Sequence, residues 1–270
     1  MTYLQEDAPH IRSAGSSTRI FAVTLASLTP LLIVNFFMSG PRALLAFAAA
    51  MITSSVIFAA QSFGSRKKSA TFFSVEGFLV PALLAAALPE MPWTIACLGA
   101  LVSVFLGRQI FGGLGGAVFH PSLVGILFLC VGFPEMTKNF SGAAGTEQIR
   151  AIAAAVGGTF LVARKKIRWD IPLIYLSVFA AFVFIFQKNP AAFLFPEVFL
   201  GAFYFTADPL TTPMTRSGQR FFSASAALIA GLAAAGGLYR VEALALGVLA
   251  MNALTPWLDR WFRPKGVLIK

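Results

Sequence analysis

The chain is organised as roughly ten apolar runs, near residues 20–38, 42–61, 72–88, 93–107, 121–132, 151–163, 171–186, 192–206, 221–238 and 241–256. A helix needs about 20 apolar residues to cross the hydrocarbon core of a bilayer, so these runs leave little chain for a soluble domain. Only 12% of the residues are charged and 57% are hydrophobic, whereas a soluble domain carries about 25% charged residues. The mean hydropathy is +0.78. The expected fold class is an all-α integral membrane protein of about ten transmembrane helices.

Two runs are interrupted where a spanning helix would normally continue. The segment GAFYFTADPLTTPMTRSGQR, Gly201 to Arg220, places Asp208-Pro209 and Pro213 at the end of an apolar helix. Proline lacks a backbone donor and clashes with the preceding turn, which leaves carbonyls and a carboxylate facing protein or water. Lipid tolerates such backbone only where it lines a cavity. The other interruption, Leu88-Pro89-Glu90-Met91-Pro92, lies about 120 residues earlier, and Gly112-Gly113 precedes Gly236-Gly237 by nearly the same interval. Five runs fall in each half, so equivalent helices run in opposite directions. The chain therefore reads as two inverted five-helix repeats with broken helices, and the paired breaks are expected to share one site near the bilayer midplane. The boundaries read as a cytoplasmic segment 1–19, a first repeat 20–133, an extracytoplasmic loop 134–150, a second repeat 151–256 and a cytoplasmic tail 257–270.

The formal charge of +10 is spread in short clusters between runs, as in Arg66-Lys67-Lys68 and Arg164-Lys165-Lys166-Ile167-Arg168. Such clusters are topology signals rather than a nucleic-acid surface. Sixteen Lys and Arg fall on one side and five on the other, Arg42, Lys138, Arg150, Lys188 and Arg240. The excess puts both termini in the cytoplasm. The first run follows a polar segment and continues as a full span, unlike a cleaved signal. Cys97 and Cys130 lie in separate runs without CxxC spacing, so they read as small buried apolar residues, and no metal or disulfide is expected.

Asp208 is the foremost candidate. A carboxylate at a helix break suits a helix cap, a cation ligand or a proton relay. Thr211 and Thr212 offer hydroxyls to the broken backbone or to a ligand. Glu76 and Glu197 suit the same ion or coupling roles, although Glu197 follows Pro196 at a helix start, where an acid also complements the helix dipole. The glycines of Phe111-Gly112-Gly113-Leu114-Gly115-Gly116 permit close backbone approach to a neighbour or ligand. His120-Pro121 follow, with an imidazole suited to bridging loose carbonyls, bonding a cofactor or carrying a proton. No catalytic residue is assigned. The 28 phenylalanines read as lipid-facing and interhelical packing rather than a quinone site.

Six segments carry a family resemblance: APHIRSAGSSTRI at 8–20, LAAALPEMPW at 84–93, GRQIFGGLG at 107–115, FHPSLVG at 119–125, TADPLTTPMTRSGQ at 206–219 and MNALTPWLDR at 251–260. Together they resemble the NqrB/RnfD family, the D-type component of the Rnf electron-transport complex and the B-type component of the sodium-pumping NADH:quinone reductase, Nqr. The resemblance implies a ten-helix fold with an internal repeat, similar to urea channels, in the bacterial cytoplasmic (inner) membrane. It implies lipid and the other subunits as partners, and a complex that couples electron transfer to Na+ or H+ movement, in which this chain is not a catalyst alone. It also implies FMN on the threonine of a Ser-Gly-Ala-Thr motif, and riboflavin among the helices. Here that motif is Ser141-Gly142-Ala143-Ala144. Ala144 has no hydroxyl, so no covalent FMN is expected there, and Thr146 is the nearest substitute. Ala117 and His120 stand where relatives commonly carry asparagines, and Pro81 where a threonine is usual. These changes remove groups that hydrogen-bond a flavin. They favour the alternative of a redox-silent paralogue, a small-solute channel or transporter on the same fold.

Overall fold

A computed structural model of the chain describes residues 17–64, 75–112, 116–135, 137, 145–187 and 193–263. Among these the regular structure is entirely helical. The helices are α1 Ser17–Ser39, α2 Pro41–Gly64, α3 Val75–Ala87, α4 Trp93–Val104, α5 Pro121–Gly132, α6 Glu147–Ala163, α7 Asp170–Phe182, α8 Pro196–Leu200, α9 Arg216–Ala235 and α10 Arg240–Trp261. Three of them continue as π-helical turns, α4 through Phe105–Gln109, α7 through Val183–Gln187 and α8 through Gly201–Phe205. Pro121 and Pro196 occupy the first turns of α5 and α8, where the missing N–H has no intrahelical partner to lose.

Ten helices are present among the described residues, as expected, but they are unequal. Arg19–Ser39, Pro41–Ala60 and Arg240–Trp261 are long and apolar enough to cross a membrane. The 13 residues of α3 extend about 20 Å, short of the ~30 Å core. The breaks after α3 and α8 account for the deficit. The second half also begins earlier than expected, because α6 starts at Glu147 inside the segment read as a polar loop.

The same packing recurs in both halves. In the first, α2 packs on α4, α4 on α5, and α3 on α1, α2 and α5; in the second, α7 packs on α9, α9 on α10, and α8 on α6, α7 and α10. Between halves, α1 meets α6, α5 meets α10 and α3 touches α8. Each of these is a pair of counterpart helices, the arrangement that a two-fold repeat requires. Gly112 and Gly237, which follow α4 and α9, both adopt left-handed backbone, φ 91° and 95°.

The α1–α6 pair is antiparallel and very close. A Cβ on Gly157 of α6 would fall 1.9 Å from the Ser27 carbonyl oxygen and 2.4 Å from the Tyr204 hydroxyl. Small residues let membrane helices approach at such distances. Tyr204 donates its hydroxyl to that same Ser27 carbonyl at 3.0 Å, tying the π-turn after α8 to the crossing. Beside this pair, α3 is enclosed on every side, with Val80 to Pro89 all buried.

One expectation is corrected. The two breaks do not share a midplane chamber. Asp208 and Pro209 edge a pocket with Ile20 and Thr24 of α1 and Leu161 near the end of α6. The Leu88–Pro92 break lies beside Asn35 and Ser39 of α1, and Asn35 meets Arg150 at the start of α6. Eleven residues separate Thr24 from Asn35, and eleven separate Arg150 from Leu161, or about 16 Å along each helix. The cause is the antiparallel placement of α3 and α8. Both breaks follow the C-terminus of a half-helix, and the two C-termini point to opposite ends.

Candidate functional site

Two polar clusters result, one at each end of the α1–α6 pair. The Asp208 cluster grows from the irregular winding after α8. In the π-turn the Thr206 N–H reaches the Gly201 carbonyl at 2.9 Å, and the Thr206 hydroxyl donates to the carbonyls of Gly201 at 2.9 Å and Ala202 at 3.1 Å. Pro209 then ends regular hydrogen bonding. Thr212 donates its hydroxyl to the Asp208 carbonyl at 2.6 Å, and Thr211 donates its own to the Asp208 carboxylate at 3.0 Å. From α10, Thr255 donates to the Thr211 carbonyl at 3.3 Å. Asn252, fully buried, donates to the same carbonyl at 3.2 Å and accepts the backbone N–H of His120 at 3.0 Å, with its amide oriented to suit both neighbours.

His120 is buried, and its ring stands perpendicular to that of Phe205 at 4.9 Å between centroids. Its Nδ1 has no hydrogen-bond partner among the described residues. Asp208 and His120 edge a small pocket of about 30 Å³ with Thr24, Lys166 and Tyr204. A cavity of that size has room for water or a small ion.

The opposite cluster forms where α3 ends. A regular helix would bond the Ala85 carbonyl to the N–H of residue 89, which is proline and has none. Asn35 supplies the donor instead, at 3.0 Å from the Ala85 oxygen and 3.4 Å from that of Ala86. The Asn35 side-chain oxygen accepts from Nε of Arg150 at 2.7 Å. Arg150 is only 1% exposed. The carboxylates of Glu197, Glu90 and Glu147 lie close enough for their charges to act on it. Glu197 opens α8, is 3% exposed, and leaves its Oε2 without a hydrogen-bond partner among the described residues. Beside it lies a half-open cavity of about 580 Å³, edged also by Tyr175, Phe195, Tyr239 and Arg240. The Arg240 guanidinium lies 3.5 Å over the Phe195 ring and 3.9 Å from Glu147.

The sequence candidates therefore divide. Asp208, Thr211, Thr212 and His120 gather at one end, with Pro121 opening α5 beside them. Glu197 belongs to the other end. Glu76 opens α3, but its side chain lies outside the described residues, as do Gly113, Gly115 and Ala144. Gly112 is exposed at its turn, Ala117 is half-buried, and Pro81 is buried within α3. Thr146 stands at the N-cap of α6. Arg150, read from sequence as a loop charge, is instead a buried helix residue. With Asn35 and Asn252 it was missed. The available signal was an amide or guanidinium inside or directly against an apolar run.

The family model for NQR2, RnfD and RnfE matches residues 4–147 and 135–267 of the chain. The chain belongs to the NQR2, RnfD, RnfE family. Its relatives within this family include the D subunit of the Na+-translocating ferredoxin:NAD+ oxidoreductase complex of Acetobacterium woodii, 28% identical over 297 residues, 96% of this chain and 93% of the relative. The D subunit of the proton-translocating ferredoxin:NAD+ oxidoreductase complex of Clostridium ljungdahlii is 24% identical over 313 residues, 95% of this chain and 93% of the relative. The D subunit of the ion-translocating oxidoreductase complex of Halorhodospira halophila is 28% identical over 258 residues, 68% of this chain and 72% of the relative. The match to the NQR2, RnfD, RnfE family includes both breaks and both polar clusters.

Proposed function

We propose that this chain is the membrane-embedded D-type component of an Rnf/Nqr-type complex in the bacterial cytoplasmic membrane, coupling electron transfer to the movement of Na+ or H+. Asp208 is the observation that carries the reading. It is a half-buried carboxylate at a proline break, bonded by one hydroxyl, beside a buried imidazole and a pocket sized for a water or small ion. Thr211, Thr212 and His120 complete the coupling site. Lys166 lies at the same pocket, and Arg168 and Arg220 lie nearby on Asp170. This concentration of basic residues supports a cytoplasmic placement for the Asp208 end and for both termini.

The covalent flavin that the resemblance implies does not fit, since Ala144 offers no oxygen for a phosphoester. Thr146, at the start of α6, is the next hydroxyl along the chain. These observations favour a second reading, a redox-silent member of the family that moves a small solute. Intact mass of the purified chain separates the two: an FMN increment, mapped by peptide to Thr146, supports the redox reading, and bare mass without flavin absorbance supports the second.

Redox-driven cation uptake into inverted membrane vesicles tests the main reading. Asp208→Asn is expected to abolish uptake while the complex still assembles. Undiminished uptake by that variant would overturn the assignment of Asp208.

A further inference from the structure

We propose that Arg150 is a fixed cation that closes the Glu197 end of the chain to mobile cations, leaving cation exchange to the Asp208 end. The inference rests on the reading that the complex moves Na+ or H+.

The two ends are built from counterpart pieces but neutralised differently. At the Asp208 break, loose carbonyls are met by neutral donors, the hydroxyls of Thr212 and Thr255 and the amide of Asn252, and the Lys166 that edges the same pocket is half-buried in the segment after α6 rather than locked inside a helix pair. At the α3 break, the amide of Asn35 meets the carbonyls of Ala85 and Ala86, and a charged N–H of Arg150 stands behind that amide at 2.7 Å. A helix C-terminus attracts positive charge. Here the charge is covalently part of α6.

The surroundings would otherwise suit a cation. Glu197 is an almost fully buried carboxylate with an unpartnered oxygen among the described residues, and a cavity of about 580 Å³ lies beside it. Glu197 is one of three carboxylates whose charges reach Arg150, with Glu90 and Glu147. The guanidinium thus supplies the countercharge permanently, because arginine stays protonated in proteins. In a low-dielectric interior a fixed positive charge repels a second one, as arginines do in pores that exclude cations. Arg240 places another positive charge at the cavity edge, over Phe195. Beyond Arg150 along the same helix pair, Gly157 packs directly on the Ser27 carbonyl and Tyr204 bonds to it.

The test uses the whole complex containing this chain, reconstituted in liposomes without an electron donor, with passive entry of radioactive Na+ and of protons followed down imposed gradients. Wild type is expected to be tight. Arg150→Gln is expected to raise entry of at least one cation by about tenfold or more, whereas Arg150→Lys stays tight. Glu197→Gln keeps the guanidinium while disturbing the same packing, so it too is expected to stay tight. Wild-type leakage, a tight Arg150→Gln complex, or equal leakage from Arg150→Gln and Glu197→Gln would each overturn the proposal. Where Arg150→Gln does not assemble, the Arg150→Gln/Glu197→Gln pair replaces it with the same expectation, and a failure of that pair to leak overturns the proposal. Because the leak is read without electron flow, its outcome is independent of whether Asp208 couples transport to redox chemistry.

Discussion

Asn35 brings its amide nitrogen to 3.0 Å from the carbonyl oxygen of Ala85, in place of the donor that Pro89 cannot supply. One side chain of α1 thereby finishes α3 and, through its oxygen, holds Arg150 of α6. Asn35→Leu would leave buried carbonyls and a guanidinium N–H unsatisfied, at about 1–3 kcal/mol for each group. The melting midpoint of the detergent-purified protein is expected to fall by several degrees.

Gly157 is expected to tolerate no side chain. Gly157→Ala puts a methyl 1.9 Å from the Ser27 carbonyl oxygen, and backbone cannot swing aside as a flexible side chain can. Overpacking of this kind costs about 1–3 kcal/mol or more, so the variant should accumulate poorly in membranes. Gly132→Ala is the control, since nothing lies within 4 Å of its added methyl. Tyr204→Phe would not rescue Gly157→Ala, because the Ser27 oxygen remains.

The two threonines after Asp208 should separate into different phenotypes. Thr212 bonds backbone and Thr211 bonds the carboxylate. Thr212→Val is expected to lower the melting midpoint, losing a hydrogen bond worth about 1 kcal/mol, while uptake per assembled complex is retained. Thr211→Val should instead shift the cation concentration for half-maximal redox-driven uptake by about threefold or more, with a smaller change in melting.

At the basic end, Asp170 accepts from both Arg168 and Arg220, the latter at 2.8 Å. Asp170→Asn would leave two guanidiniums facing each other across a neutral amide. It is expected to destabilise the chain more than Arg220→Gln does. The double variant should show coupling of about 0.5–3 kcal/mol in a thermal-melt cycle.

Much of the fold was legible because lipid imposes a severe constraint. Apolar length gave the helix count, and Pro89 and Pro209 gave the places where α3 and α8 stop. The residues that repair those stops were not legible. Asn35 and Asn252 are lone amides inside apolar runs, and their partners lie 50 and 41 residues away, at Ala85 and Thr211. Arg150 read as a loop charge because Ser141 to Gly145 precede it, and burial of a guanidinium depends on partners that no local pattern reveals. The offset between breaks showed a repeat, but an offset along the chain does not say whether equivalent points meet. An inverted pair places them at opposite ends, which is why Glu197 and Asp208 separate.

The antiparallel course of α3 and α8, which touch, also bears on how the chain responds to voltage. Peptide dipoles of opposed half-helices largely cancel beyond their own termini. A membrane potential acts on each full charge with about 2.3 kcal/mol per 100 mV across the bilayer, so it does its work on Asp208, Glu197, Arg150 and any ion beside them. The half-helices serve as an insulating frame whose own orientation adds little to the electrical work of transport.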